Sequence, residues 1–441
     1  MNDLFENTSI KKAYFTLALP VVLSMAVTLI YNMVDTFFVA QTQNPDLVAG
    51  VSQGAPLFTM MIALGDIFGL GGSSVISRLF GEHKDRTGRF VSGYCFYSSI
   101  LCGIIVTIVM LAFQTPFLHL LGASPSTWKY AREYYLVMAW GATFVIFGLT
   151  PTNILRTEGL AVQSMIASMT GTIINIFLNP VFIFTCGWGA AGSALATVTS
   201  TVIADVIMVY YTHYKSKKLT TSIKETKISR HLQWEIYAIG IPASITNLMA
   251  TFATALSNRY LISYGASSVA AMGIALKISL VTNMIVAGLA FGAQPLIGYN
   301  YGAKDQKRFR ETIHFDILVV AGFSFCATIL LIIFAPFLIR LFMKDPTVIR
   351  EGTGMIRWLS SSATLAGVIL VFTTMFQSMG KAVPAFWLSF CRQGLIFAAV
   401  IIVLHALFGY TGILAAQPVS DLLTFLLSLF LFRVYRPNFT K

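Results

Sequence analysis

An all-α polytopic membrane protein, with twelve transmembrane helices in two pseudo-symmetric six-helix lobes, is the fold class this sequence predicts. Of 441 residues, 56% are hydrophobic and 11% are charged, apolar runs of membrane-crossing length recur along the whole chain, and landmarks of the first half return about 220 residues later. A soluble domain is roughly 25% charged, so this chain has too little charge to coat a soluble body. That excludes a soluble enzyme and a nucleic-acid binder. The net charge of +12 does not require a polyanionic ligand, because cytoplasmic loops of membrane proteins collect basic residues. Cys95, Cys102, Cys186, Cys326 and Cys391 are scattered through apolar runs without ligand spacing or a pairing pattern, and read as core filler.

A bilayer core needs about 20 apolar helical residues per crossing. Twelve runs meet this, near 13–40, 53–78, 90–113, 130–151, 161–186, 190–212, 236–262, 268–298, 313–337, 354–376, 382–405 and 411–433. The first follows Lys11 and Lys12, has no small-residue cleavage site and continues past signal-peptide length, so it reads as a retained helix. With the N-terminus inside, the inner connections hold Arg78, Lys84, Arg86, Arg89, Arg156, the basic run 215–230, the run 304–310, Lys381, Arg433, Arg436 and Lys441. The outer ones hold only Lys129, Arg132, Arg340, Lys344, Arg350 and Arg357. This asymmetry places both termini of a multi-pass protein in the cytoplasm.

The longest polar stretch, His213 to Glu235, separates two groups of six spans, giving an N-lobe over 1–212, a cytoplasmic linker over 213–235 and a C-lobe over 236–441. Pro20 precedes Asp35 by 15 residues, and Pro242 precedes Ser257 by 15. Phe80-Gly81 with Asp85 recurs as Tyr301-Gly302 with Asp305, Gly159 as Gly380, and Gly189-x-x-Gly192 as Gly409-x-x-Gly412, at offsets of 220 to 222. A duplicated six-helix unit follows. Six helices preserve orientation, so the halves are related by an axis along the membrane normal, with a crevice as the natural substrate path. That path lies within one chain, so a monomer is expected.

Polar groups inside spans are costly and mark candidate sites. Asp35 stands well into the first span, preceded by Ser24, Thr28, Tyr31 and Asn32 on a polar stripe. On the fifth span Asn175 and Asn179 share one face at i,i+4 spacing, and Thr197 enters from the sixth. Counting from loop ends puts these groups at similar depth, so they are expected to form one pocket whose carboxyl takes up and releases a proton. Asp66, in the glycine-rich middle of the second span, and Asp205, halfway through the sixth, are further cavity or relay candidates. The second half has Arg259, Lys277 and Arg392 within or near spans, with Asp316 and Asp421 nearer span ends, and Ser257 where a second Asp35 would stand. Ion coupling is therefore expected in the first half.

Pro20 removes a helical hydrogen bond, so the segment from Pro20 to Asp35 is a candidate for bending. Phe37, Phe38, Met60, Met61, Tyr134, Tyr135, Met138 and Met169 suit a deformable apolar passage attractive to organic cations, with core packing as the plainer reading of each alone. No nucleotide-binding loop, metal-ligand cluster or cofactor motif is present, so neither catalysis nor a cofactor is expected, and energy must come from an ion gradient.

The basic loop Gly81-Glu-His-Lys-Asp85-Arg86-Thr-Gly88-Arg89 resembles the signature of the major facilitator superfamily, but its repeat copy from Gly302 lacks the final Gly-Arg. A fuller resemblance runs through Pro20, Tyr31-Asn-Met-Val-Asp35-Thr-Phe-Phe, Gly69-Leu-Gly-Gly-Ser73-Ser74-Val-Ile-Ser77-Arg78, Leu155-Arg156-Thr157-Glu158-Gly159, Asn175-x-x-x-Asn179-Pro180 and Gly189-x-x-Gly192-x-Ala194-x-Ala196-Thr197. In these blocks, their order and their spread over two halves, the chain resembles the multidrug and toxic compound extrusion family, in particular its DNA-damage-inducible-type branch. The resemblance implies an antiporter of the bacterial inner membrane that exports lipophilic, often cationic, drugs in exchange for H⁺ or Na⁺ by alternating access. It assigns ion coupling to Asp35, Asn175, Asn179 and Thr197. Asn179 replaces an acid common in relatives, and the second half lacks the seventh- and tenth-span acids of the Na⁺-driven branch, so the resemblance favours H⁺. A flippase for lipid-linked precursors or polysaccharides, with a wet basic cavity, and a Na⁺-coupled drug antiporter are the alternatives.

Overall fold

The structure is a computed structural model that describes residues 2–343 and 345–437; Lys344 and Lys441 of the charge count lie outside them. Its long helices are α1 Ile10–Ala40, α2 Ala55–Gly81, α3 Asp85–Ala112, α4 Trp128–Thr157, α5 Ala161–Pro180 and α6 Gly189–Tyr214. They continue as α7 Arg230–Leu261, α8 Ala266–Gly302, α9 Gln306–Phe342, α10 Pro346–Ser361, α11 Ala363–Ser378, α12 Ala382–Phe408 and α13 Tyr410–Val434. In hydrocarbon every backbone polar group must be satisfied within the segment, and helices do this. Side chains such as Leu101, Ile105 and Ile108 on α3 stay exposed because lipid, not water, is their solvent.

Among the described residues, eleven helices are long and apolar enough to cross a membrane, and twelve spans result when α10 and α11 are taken as one broken crossing bent by 40°. The expected run 354–376 therefore begins earlier and is not continuous. Its break falls at Ser362, whose hydroxyl donates to Asp421 of α13. Asp421 itself stands mid-way along α13 rather than near a span end, because that helix extends from Tyr410 to Val434. Asp316 lies about three turns into α9, buried, and accepts from the Tyr14 hydroxyl at 2.9 Å.

The duplication is written in the backbone. Left-handed residues recur at matching places: His83 (φ 57°) and Lys304 (φ 57°), Gly159 (83°) and Gly380 (73°), Gly189 (48°) and Gly409 (56°). At Gly159 and Gly380 the helix must stop and turn within one residue, a conformation that glycine takes without steric cost.

Two compact units result. One comprises Leu23–Ser244, the other Phe5–Val22 with the chain from Ile245 onward. Within the first, Gly71 and Gly240 let α2 and α7 approach so closely that a Cβ on Gly71 would stand 3.1 Å from the Gly240 nitrogen. Tyr237 and Glu235 of α7 reach Tyr94 at 3.2 Å and Arg78 at 3.4 Å. The matching place in the second unit is filled by α1. A Cβ on Gly292 would meet the backbone of Ala18, and Arg308 donates to the carbonyls of Phe5 (2.8 Å) and Thr8 (2.9 Å).

The stretch between α6 and α7 is tied down. Glu158, just past α4, accepts from the Ser216 hydroxyl and from the backbone of Lys217 at 2.7 Å and Lys218 at 3.2 Å. Lys218 pairs with Asp85 at 2.8 Å, Arg89 with Glu225 at 2.8 Å, and Tyr97 donates to the Thr221 carbonyl at 2.8 Å.

Candidate functional site

The first unit brings the predicted groups of α1, α5 and α6 together. Asn179 Nδ2 donates to Asp35 Oδ1 at 2.8 Å and to Asn175 Oδ1 at 2.9 Å. Asn175 Nδ2 in turn faces Thr197 Oγ1 at 3.4 Å and Ser200 Oγ at 3.3 Å. Tyr31, one turn before Asp35, places its hydroxyl 3.1 Å from Thr197 Oγ1. Asn175, Asn179 and Thr197 are buried, whereas Asp35 and Tyr31 keep partial access. The helical period explains the register: residues four apart on α5 stack on one face, so one asparagine reaches the carboxylate and the other continues the chain.

Two members were not singled out in the sequence. Ser193 donates to Asp35 Oδ1 at 3.3 Å, and Ser200 extends the network beyond Asn175. Ser193, Thr197 and Ser200 stand at i, i+4 and i+7 among alanines, and that spacing was the available signal. Past Asn179, α5 ends in a π turn, Val181–Thr185, a feature that recurs beside functional sites.

Other candidates separate from this cluster. Thr28 spends its hydroxyl on the Ser24 carbonyl of its own turn at 2.9 Å, and Asn32 is exposed, so the α1 stripe does not act as one surface. Pro20 is carried inside the unbroken α1, near the boundary between the units. Tyr135 is buried in the α2/α4 core and donates to the Met110 carbonyl at 2.8 Å, a packing role. Met169 is partly buried on α5. Asp66 is buried with the Arg156 guanidinium as its charged neighbour. Asp205 is buried against Gly148, and among the described residues its Oδ2 has no hydrogen-bond partner. Arg392 of α12 pairs with Asp421 at 3.0 Å. Among the described residues no three His, Cys, Asp or Glu side chains form a metal-binding group.

The profile of the MatE family matches residues 20–181 and 242–410, one stretch in each half. The chain belongs to the MatE family. Among MatE relatives, it is 29% identical over 437 residues to the multidrug export protein MepA of Staphylococcus haemolyticus (strain JCSC1435), covering 99% of this chain and 96% of that protein. MepA of Staphylococcus aureus (strain N315) is 28% identical over 436 residues, with the same coverage. A multidrug resistance MATE family transporter of the MOP superfamily, solved in an outward-facing conformation, superposes with a TM-score of 0.93 at 24% identity, over 100% of this chain and 98% of that one. A MOP superfamily transporter from Pyrococcus furiosus gives 0.93 at 25% identity, with the same coverage. MatE membership makes this chain a multi-pass membrane transporter and not an enzyme.

Proposed function

We propose that the chain is a secondary antiporter of the bacterial inner membrane, exporting lipophilic, often cationic, compounds in exchange for protons carried by Asp35. The relatives described as multidrug exporters support the substrate class. Proton coupling rests on one observation: the Asp35 carboxyl ends a chain of amides and hydroxyls whose hydrogen bonds can run in either direction.

Charged, Asp35 accepts from Asn179 and Ser193. Once protonated, its O–H needs an acceptor, and Asn179 Oδ1 is buried with no hydrogen-bond partner among the described residues. A flip of the Asn179 amide turns that oxygen to the carboxyl. Asn175 then donates to Asn179, and the hydroxyls of Thr197 and Ser200 rotate to donate to Asn175, because asparagine and hydroxyl groups can each donate or accept. Both protonation states are thus satisfied by the same side chains, with different constraints on α1. A response of the segment from Pro20 to Asp35 would couple the proton to the compound, since exchange requires the two to favour different states of one bistable protein. Asn179 is neutral, so the pocket offers a bound Na⁺ a single fixed carboxylate, which favours H⁺. Both termini are cytoplasmic and the monomer suffices in this reading.

Uptake of a fluorescent lipophilic cation into inverted vesicles tests it. Uptake should follow an imposed pH gradient and fall about tenfold or more in Asp35→Asn, equivalent to at least ~1.4 kcal/mol of barrier. Uptake driven only by a Na⁺ gradient, or unchanged in Asp35→Asn, overturns the assignment.

A further inference from the structure

In the first unit the start of α3 is covered by the chain itself. Arg89 pairs with Glu225 at 2.8 Å, the Thr220 amide donates to Ser92 Oγ at 3.1 Å, and a Cβ on Gly93 would stand 2.4 Å from the Glu225 carbonyl oxygen. The stretch between α6 and α7 thus lies along the first turns of α3 and brings a carboxylate to its arginine.

The second unit repeats this end without that cover. The two backbones are in register at an offset of 221: His83 and Lys304 are both left-handed, and the Lys84 amide donates to the Leu79 carbonyl as the Asp305 amide does to that of Asn300. Arg310 therefore stands where Arg89 stands, Ile313 where Ser92 does, and His314 where Gly93 does. Between the start of α9 and the end of α13 lies a groove of about 510 Å³. A water takes up ~30 Å³, so the groove has room for a far larger group.

Its rim is cationic and unpaired. Arg310 lines it from α9, Arg433 and Arg436 line it from the end of α13, and no carboxylate is in its wall. Glu311 lies about 100° round the helix from Arg310. All three arginines are exposed, and among the described residues none of them makes an ion pair. Arg308, by contrast, is already spent on the carbonyls of Phe5 and Thr8.

Polarity falls with depth into the spans. One and two turns inward from Arg310 come Ile313 and Ile317, and on α13 Phe432 packs on Phe372 with ring centroids 5.6 Å apart. Farther in, Leu318 and Phe325 of α9 and Leu426 and Phe430 of α13 are exposed. A free anion would use the rim and leave the apolar wall bare, whereas a molecule with an anionic head on long apolar chains fits both. We propose that this groove binds an anionic phospholipid, its phosphodiester held by Arg310, Arg433 and Arg436 and an acyl chain laid along the α9/α13 wall. Guanidinium forks match phosphate oxygens, and basic pockets between membrane helices hold such head groups. Where the first unit supplies its arginine with a carboxylate from its own chain, the second takes a phosphate from the bilayer. The inference is independent of the transport reading.

The test is native mass spectrometry of the purified full chain titrated with phosphatidylglycerol and phosphatidylcholine of the same acyl chains. The first phosphatidylglycerol should bind about tenfold tighter than the first phosphatidylcholine. In Arg310→Gln/Arg433→Gln/Arg436→Gln the two should agree within about twofold, and Arg310→Gln alone should lose roughly threefold. Lys224→Gln/Lys227→Gln/Arg230→Gln removes as many exposed charges from the stretch before α7 and should keep the preference. Equal binding of the two lipids by the unaltered chain, a preference that survives the triple groove variant, or one lost equally in the control overturns the site. Displacement of the bound phosphatidylglycerol by excess inorganic phosphate would show a free-anion site and overturn the lipid assignment.

Discussion

Asn179 reaches Asp35 with the same amide nitrogen that reaches Asn175, at 2.8 and 2.9 Å, so a single side chain joins the first-helix carboxylate to the polar face of the fifth and sixth. No other described residue bonds both groups, which makes position 179 the point where the network is most easily cut.

Asn179→Ala leaves Asp35, among the described residues, with Ser193 as its remaining donor at 3.3 Å. A hydrogen bond to a charged group contributes about 1.5–3 kcal/mol, so proton-driven uptake in vesicles should fall roughly ten- to a hundredfold. Asn179→Asp should instead make uptake respond to a Na⁺ gradient, since two adjacent carboxylates can neutralise a bound cation.

Close packing in the first unit should be intolerant of volume at Gly71. Gly71→Val drives side-chain carbons into the Ile236 carbonyl and the Gly240 backbone, and overpacking of this kind costs about 1–3 kcal/mol. A lowered thermal aggregation midpoint of the detergent-solubilised protein would register it. Gly273→Ala, on α8 with nothing within 4 Å, should leave the midpoint unchanged or slightly raised.

The Arg392–Asp421 pair should be costly to break from one side. Asp421→Ala strands a partly buried guanidinium, and losing one partner of a buried pair destabilises by about 3–5 kcal/mol. Replacing both, as Arg392→Met with Asp421→Leu, should cost markedly less in the same thermal measurement.

Acid should loosen the segment between α6 and α7. The Thr220 hydrogen bond and then the Arg89 pairing hold the Glu225 carboxyl below its ordinary value of 4.5. A depressed acid stabilises the folded arrangement above its unfolded pKa, and the contribution is lost as pH falls through the folded value. A nitroxide at Lys224 should gain mobility as the pH is lowered below 4.5, and Glu225→Gln should show high mobility at every pH. A label equally immobile across that range in both proteins would contradict the anchoring.

The spans were legible because hydropathy and bilayer thickness act on long windows of sequence. The bend between α10 and α11 was not, since Ser360-Ser361-Ser362-Ala363 contains neither proline nor glycine and the break depends on the bond from Ser362 to Asp421. Depth counting and helical period brought Asp35, Asn175, Asn179 and Thr197 to one place. Neither reports helix rotation about its own axis, so Ser193 and Ser200 do not stand out in the sequence, and Ser24, Thr28 and Asn32 group with Tyr31. The pairing of Arg392 with Asp421 depends on a π turn that no residue pattern in 391–395 signals.

The front part of α1 belongs to the second unit and the front part of α7 to the first, and this has a consequence for biosynthesis. As the ribosome delivers the chain, residues 5–22 emerge early, yet their packing partners Gly288 and Gly292 come with α8 and Arg308 with α9. The first unit, for its part, stays incomplete until Tyr237 and Gly240 have been made. Neither half can finish folding from its own share of the message, so the nascent chain must wait in the membrane, with two helices half placed, until synthesis is well into its second half.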